Sequence, residues 1–160
     1  FTTKQLHVGH FTSHRLKVQL VDTPGLLDRP MIKRNAIEMQ AIAALEHLGS
    51  LVLFLLDSSE SGGVSVEEQL NLLEEVKELL PGTELLVCVS KADLLDPLPE
   101  GWGDVDVPRT QEGHPAFSAI DGQGIEGLRE LMMEKVIEVQ RGTALTLPEG
   151  WYVRDPDGTV

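Results

Sequence analysis

The sequence predicts an α/β domain built on a mostly parallel sheet with helices on both faces. Two observations carry that expectation. Segments of strand length alternate with segments of helical period along the chain. Two of the strand-length segments, 51–56 and 84–89, are apolar almost throughout, the pattern of strands covered on both sides.

Taken in order, residues 4–11 alternate apolar and polar positions through Leu6 and Val8, and residues 16–21 alternate likewise before ending in Asp-Thr-Pro-Gly. Joined by the short polar link 12–15, the two read as an antiparallel hairpin. From Pro30 the period lengthens. Ile37, Ala41, Leu45 and Leu48 recur at helical spacing, with Gly49 as a C-cap. After the covered strand 51–56, Ser65-Val-Glu-Glu68 is a capping box opening a helix expected to turn Leu70, Leu73, Val76 and Leu80 inward. Residues 84–89 make the second covered strand and 115–119 a short third. The last helix, 124–139, has Ile125, Leu128, Met132 and Val136 on one side. Segments 97–114 and 143–160 read as irregular, and each contains Leu-Pro-Glu-Gly-Trp, too short a repeat to imply a repeat architecture.

The 160 residues form one domain at most, with a folded unit expected over 1–141 and an irregular tail over 142–160. A hydrophobic content of 41% argues against a disordered chain, and 4% aromatics means an aliphatic core. The longest apolar run, 51–56, falls far short of the roughly 20 residues that cross a bilayer, so no membrane is expected among the partners. No signal peptide is legible. The single cysteine, Cys88, lies in an apolar run and reads as a buried structural thiol, from which a cytoplasmic location follows. The net charge of −13 argues against broad binding to a phosphate backbone. It suits a protein soluble in high salt, with ordinary acidic solubility as the alternative.

Open parallel sheets collect ligands at the carboxyl ends of their strands, so the chemistry is expected in the loops after Val21, Val89 and Phe117. The first holds Asp22-Thr-Pro-Gly25. A carboxylate there can hold a water on Mg²⁺, and the glycine lets a backbone N–H approach a terminal phosphate; an ordinary Asp-Pro-Gly turn is the alternative. The second holds Ser90-Lys91-Ala92-Asp93 and the third Ser118-Ala119. Neither is specific alone.

In this order, each at a strand's carboxyl end, the three motifs resemble those of a Ras-like GTP-binding domain of the P-loop NTPase fold. The resemblance implies that Asp93 accepts two hydrogen bonds from guanine, that the stem of Lys91 packs over the base, and that the Ala119 backbone N–H points at guanine O6 with Ser118 beside it. It implies GTP or GDP and Mg²⁺ as cofactors. Ser90 stands where Asn is commonest. Phe1-Thr-Thr3 resembles a switch I segment, which makes Thr3 the direct Mg²⁺ ligand, with Thr2 as the alternative, and Asp22 its partner through water. Asp22-Thr-Pro-Gly-Leu-Leu-Asp-Arg-Pro30, then Arg34-Asn35, Leu56-Asp57-Ser58 and Glu68-Gln69-Leu70, are similar to the Nog family of ribosome-assembly GTPases.

Several expectations follow from that resemblance. The partner is the large ribosomal subunit particle, with its rRNA and proteins, and the acidic composition points to a halophilic archaeon. The alternatives are another GTPase of the Obg or Era type, or a non-hydrolysing interaction domain. Leu26 stands where Ras places a water-orienting glutamine, so basal hydrolysis is expected to be slow. No residue is assigned as catalytic. The phosphate-binding loop Gly-x-x-x-x-Gly-Lys-Ser/Thr does not occur in these 160 residues. The resemblance therefore implies a chain that begins downstream of it, lacking the sheet's first strand, with weak nucleotide affinity on its own. Two other patterns read as solvated. His7 and His10 fall on opposite strand faces, with His14 in the link, and Glu100, Asp104 and Asp106 lack the spacing of a Ca²⁺ loop.

Overall fold

The computed structural model describes residues 7–13, 16–22, 51–103 and 107–143. Thr3, Gly25, Leu26, the helix expected from Pro30 and the 142–160 tail, beyond the last residues of the final helix, lie outside them.

Strand β1 (His7–Ser13) and strand β2 (Leu16–Asp22) form the expected hairpin, in register from Ser13↔Leu16 to His7↔Asp22. The strict alternation puts Phe11, Val18 and Leu20 on one face and Val8, His10 and Val21 on the other, and His7 and His10 do separate as their spacing requires. Phe11 receives the Arg129 guanidinium at 5.3 Å from its ring centroid, which ties the hairpin to the last helix.

Strand β3 (Leu51–Leu56) pairs in parallel with β4 (Glu84–Val89), from Leu51↔Glu84 to Leu56↔Val89. Between them runs helix α1 (Val66–Leu79), and helix α2 (Ile125–Thr143) follows later. The strands form two pairs, one antiparallel and one parallel, with no strand joining β2 to β3 among the described residues, the position that the resemblance gives to the lacking first strand. Helices do cover both faces of the parallel pair. Leu72, Val76 and Leu80 pack with Val52, Phe54 and Leu85 on one side. Leu128 and Met132 pack with Leu53, Leu86, Cys88 and Phe117 on the other. Burying each such aliphatic side chain stabilises by roughly 1.5–3 kcal/mol. Leu55, at the edge of β3 without a described neighbour, stays 47% exposed, so cover on both faces is complete for β4's end but not for β3.

Local signals explain the element ends. Ser65 accepts from the Glu68 N–H while the Glu68 carboxylate accepts from the Ser65 N–H, the reciprocal cap the sequence implies. The inward face of α1 differs from expectation by the loss of Leu70 and the gain of Gln69 and Leu72. Leu70 is exposed, and Gln69 is buried beside Leu72, Leu73 and Val76. The short third strand is reduced to one parallel bridge, Val89↔Ala116, held by Val89 N–H to the Pro115 carbonyl at 2.8 Å and Phe117 N–H to the Val89 carbonyl at 2.9 Å. In the loop before it, Glu100 and Arg109 pair backbone to backbone, and Trp102 packs against the cluster of Leu56, Val89, Ala92 and Ala116. That gives the first Leu-Pro-Glu-Gly-Trp a structural task; the second copy is outside the described residues. Burial pushes the Cys88 thiol up to about 12, so it stays protonated in the core, as expected of a structural cysteine.

Candidate functional site

Three strand ends meet where β3 and β4 stop. At the end of β4 the Ser90 N–H donates to the Leu56 carbonyl at 2.9 Å, and its hydroxyl reaches the same oxygen at 3.3 Å. Serine therefore supplies a staple between the two strand ends in place of asparagine. Lys91 takes a left-handed conformation, φ 54° and ψ 36°, which a residue with a Cβ adopts at a cost of roughly 1 kcal/mol or more. That kink turns the chain into the 3-10 turn Ala92–Leu94. Ala92 is fully buried and its N–H donates to the Phe117 carbonyl at 3.1 Å, so the Ser90–Asp93 loop is bonded to the start of the Ser118–Ala119 loop.

Within the second loop Ser118 is fully buried. Its hydroxyl accepts from the Ile120 N–H at 3.2 Å and the Asp121 N–H at 3.5 Å. Its own N–H donates to the Gln123 carbonyl at 2.9 Å. This tight turn leaves Ala119 and Ile120 exposed at its tip, Ile120 at 88%. Asp93 directly follows Ala92, and its Oδ1 is buried with no hydrogen-bond partner among the described residues. A buried acceptor left unpaired costs about 1–3 kcal/mol, and more when charged, so an aspartate is kept in such a place only if something else supplies a donor.

Ser90, Lys91, Asp93, Ser118 and Ala119 are thus brought together. Asp22 is not. It sits exposed at the carboxyl end of β2, opposite His7, with no hydrogen bond or ion pair to the other loops among the described residues. A hydrated cation is compatible with that exposed carboxylate; Thr3 and Gly25 are outside the described residues.

The loop after β3 holds Asp57, which the sequence singled out only as part of the family resemblance and not as a site residue. Asp57 accepts Lys91 Nζ at 2.7 Å, Ser59 N–H at 3.1 Å, the Ser59 hydroxyl, the Ser61 hydroxyl at 3.2 Å and Gly62 N–H at 3.3 Å. Lys91 Nζ also donates to Ser61 Oγ at 2.8 Å. Gln69 clamps the loop from α1. It accepts from the Asp57 N–H at 2.7 Å and donates to the Asp57 and Val64 carbonyls at 3.0 and 3.1 Å. Burial alone pushes the Asp57 carboxyl up, but Lys91, with the Ser59 and Ser61 hydroxyls, outweighs it and holds the group down at about 2, from an ordinary 3.8.

Asp57 is therefore protonated more readily unfolded than folded, and unfolding takes up a proton. Its stabilising contribution is complete above about pH 4 and is lost as pH falls toward 2. Thermal melts over that window should show a steeper acid loss of Tm in the native protein than in Asp57→Asn. Parallel acid profiles for the two would show that Asp57 carries no such linkage.

Comparison with known proteins shows what the chain is similar to. The family model described as nucleolar GTP-binding protein 1 matches residues 36–93, which run through the Asp57 loop, α1 and the Ser90–Asp93 motif. Nucleolar GTP-binding protein 1 of Drosophila melanogaster is 50% identical over 102 residues, 62% of this chain and 16% of that protein. Its Caenorhabditis elegans counterpart is 40% identical over 142 residues, 86% of this chain and 21% of that protein. An uncharacterized protein of Methanocaldococcus jannaschii is 50% identical over 96 residues, 60% of this chain and 26% of that protein. The chain thus spans about a quarter or less of the length of these relatives. A crystal structure of a protein assigned as nucleolar GTP-binding protein 1 from Plasmodium falciparum superposes with a TM-score of 0.68 at 32% identity, covering 86% of this chain and 73% of that one.

Proposed function

Because the chain belongs to the Nog family, the nucleolar GTP-binding protein 1 family, we propose that it is the guanine-recognising part of a GTP-binding protein. One observation supports this above the others. Asp93 presents a buried, unpaired carboxylate oxygen at the carboxyl end of a parallel strand, where a base edge with N–H donors removes the cost of leaving it unpaired. Guanine offers two adjacent donors there, N1–H and the N2 amine, whereas adenine sets its one amine beside an N1 acceptor. Lys91 would lay its methylene stem along the base. The Ser118–Ala119 turn, stiffened by the Ser118 hydroxyl, would offer backbone N–H toward guanine O6.

Mg²⁺ falls to Asp22 and Thr3 in this reading, and the terminal phosphate to the Gly25 N–H. The bound ion supplies charge neutralisation on the phosphates. Hydrolysis of GTP belongs to the full-length protein, slow without an activator because Leu26 cannot orient water. The proposed partner is the large ribosomal subunit particle, in the cytoplasm of an archaeal cell. No helix among the described residues is long and apolar enough to cross a membrane.

The test is competition against a fluorescent GDP on the full-length protein. GTP and GDP should displace it at least about 100-fold more effectively than ATP, the discrimination expected when a buried acceptor must be paired. Equal displacement by ATP would remove the guanine reading.

A further inference from the structure

Lys91 carries a flexible side chain of four methylenes, and such a chain covers a base face only if something holds its far end. Left free, it gives up rotamer entropy on being ordered by a ligand. Here the far end is held by the protein's own side chains. The ammonium sits between Asp57 Oδ2 at 2.7 Å and Ser61 Oγ at 2.8 Å. The Asp57 side chain is 16% exposed against 44% for Lys91, so the carboxylate is the fixed partner and the ammonium is the one docked onto it.

The fixture is over-determined. Both Asp57 oxygens accept from the loop's own N–H and hydroxyl groups, and both backbone groups of Asp57 are clamped by Gln69, itself only 3% exposed. Gly62 packs close as well, where an added Cβ would lie 3.5 Å from Asp57 Oδ2 and 3.9 Å from Lys91 Nζ. At its near end Lys91 is held in the left-handed conformation that the Ala92 and Ser90 backbone bonds impose. Both ends of the stem are therefore set.

We propose that Asp57, bracketed by Ser61 and Gln69, is a positioning residue that holds the Lys91 stem in place for the base before nucleotide binds. The inference rests on the guanine reading of Asp93 and adds to it a dedicated anchor on a different strand end. Its consequence is preorganisation: the ordering entropy of Lys91 is met in folding and not at binding, which tightens nucleotide affinity.

The experiment is a double-mutant cycle on GDP affinity in the full-length protein, using Asp57→Asn and Lys91→Met with Tm recorded for each. Asp57→Asn should weaken GDP binding about 10-fold in the native background, and by less than about 2-fold once Lys91 is methionine. Equal losses in both backgrounds would overturn the proposal, since Asp57 would then act by some route other than Lys91. So would an unchanged affinity with a lowered Tm, which is what a merely structural role predicts. Ser61→Ala, on an exposed loop, removes the second ammonium partner and one of the hydrogen bonds to Asp57 Oδ2, and supplies a milder variant should Asp57→Asn fold poorly. It should weaken GDP about 3-fold with Lys91 present and not at all without it, and no loss with Lys91 present would overturn the proposal. Asp93→Ala serves as the control. If it leaves GDP affinity intact, the guanine reading itself fails. If it abolishes binding while the Asp57–Lys91 cycle shows no coupling, only the positioning role fails.

Discussion

Replacing Asp93 by asparagine is expected to weaken GDP binding to the full-length protein by roughly 10²–10⁴-fold, because two charge-assisted hydrogen bonds of about 1.5–3 kcal/mol each are at stake. A carboxylate accepts from both guanine N1–H and the N2 amine. A carboxamide accepts once and sets its own amine against the other donor. Xanthine carries a carbonyl in place of that amine, so the Asp93→Asn protein should prefer xanthosine diphosphate to GDP, a reversal that no general loosening of the fold produces. Stability separates the two effects further. Asp93 Oδ1 is buried with no partner among the described residues, so replacing the charged acceptor with a neutral one lowers its burial cost and should leave Tm unchanged or slightly raised. Isothermal titration with both diphosphates, beside a thermal melt, reads all three quantities. GDP affinity within about 3-fold of native would sink the assignment of Asp93 to the base.

Much of this site was legible before any coordinates, and the part that was not has a physical reason. Ser90, Lys91, Asp93 and Ser118 could be singled out because they stand at strand ends in an order that resembles base-binding motifs, and the structure brings their two loops together. The capping box at Ser65 and Glu68 was readable for a local reason: both partners lie within one turn. Gln69 was not. A period built from apolar residues draws Leu70 into the buried face, yet the structure buries the carboxamide, because the Asp57–Val64 loop leaves two carbonyls and an N–H that only a long amide can pair at once. Asp57 escaped for a related reason. Its partners Ser59, Ser61 and Gly62 form a cage with no fixed spacing rule, and Lys91 comes from the next strand, 34 positions on. An acidic residue directly after a covered strand was the available signal, and it marks the loop after Leu56 as a fourth place to search. The split into two strand pairs is not read from alternation, which reports how each strand is covered and not which strand lies beside it; the signal for it was the resemblance, which places the lacking first strand between residues 16–21 and 51–56.

Gly124 couples the fold to the site, and Gly124→Ala should be among the most damaging small substitutions in the chain. The residue precedes α2 with φ at 78°, a region alanine enters only with strain. Space is the larger problem. An added Cβ would stand 2.4 Å from the Ala116 carbonyl oxygen, 3.0 Å from Pro108 Cδ and 3.2 Å from Phe117 Cα. Two of these atoms are backbone, so no side-chain rotation relieves them. Either α2 lifts off the cluster of Cys88, Phe117, Leu128 and Met132, or the Ala116–Phe117 segment moves and carries Ser118 with it. Strain and overpacking of about 1–3 kcal/mol each predict a loss of roughly 3 kcal/mol, a fall in Tm on the order of 10 °C for a domain of this size. Gly122→Ala isolates the collision. Gly122 has the same φ of 78°, but nothing lies within 4 Å of its added Cβ, so it should lose only about 1 kcal/mol. Differential scanning calorimetry on the pair measures the difference, and equal losses would mean that α2 does not seat on Ala116. Because Phe117 accepts the Ala92 N–H, the Gly124→Ala protein should also bind guanine nucleotide more weakly at temperatures where it remains folded, whereas Gly122→Ala should not.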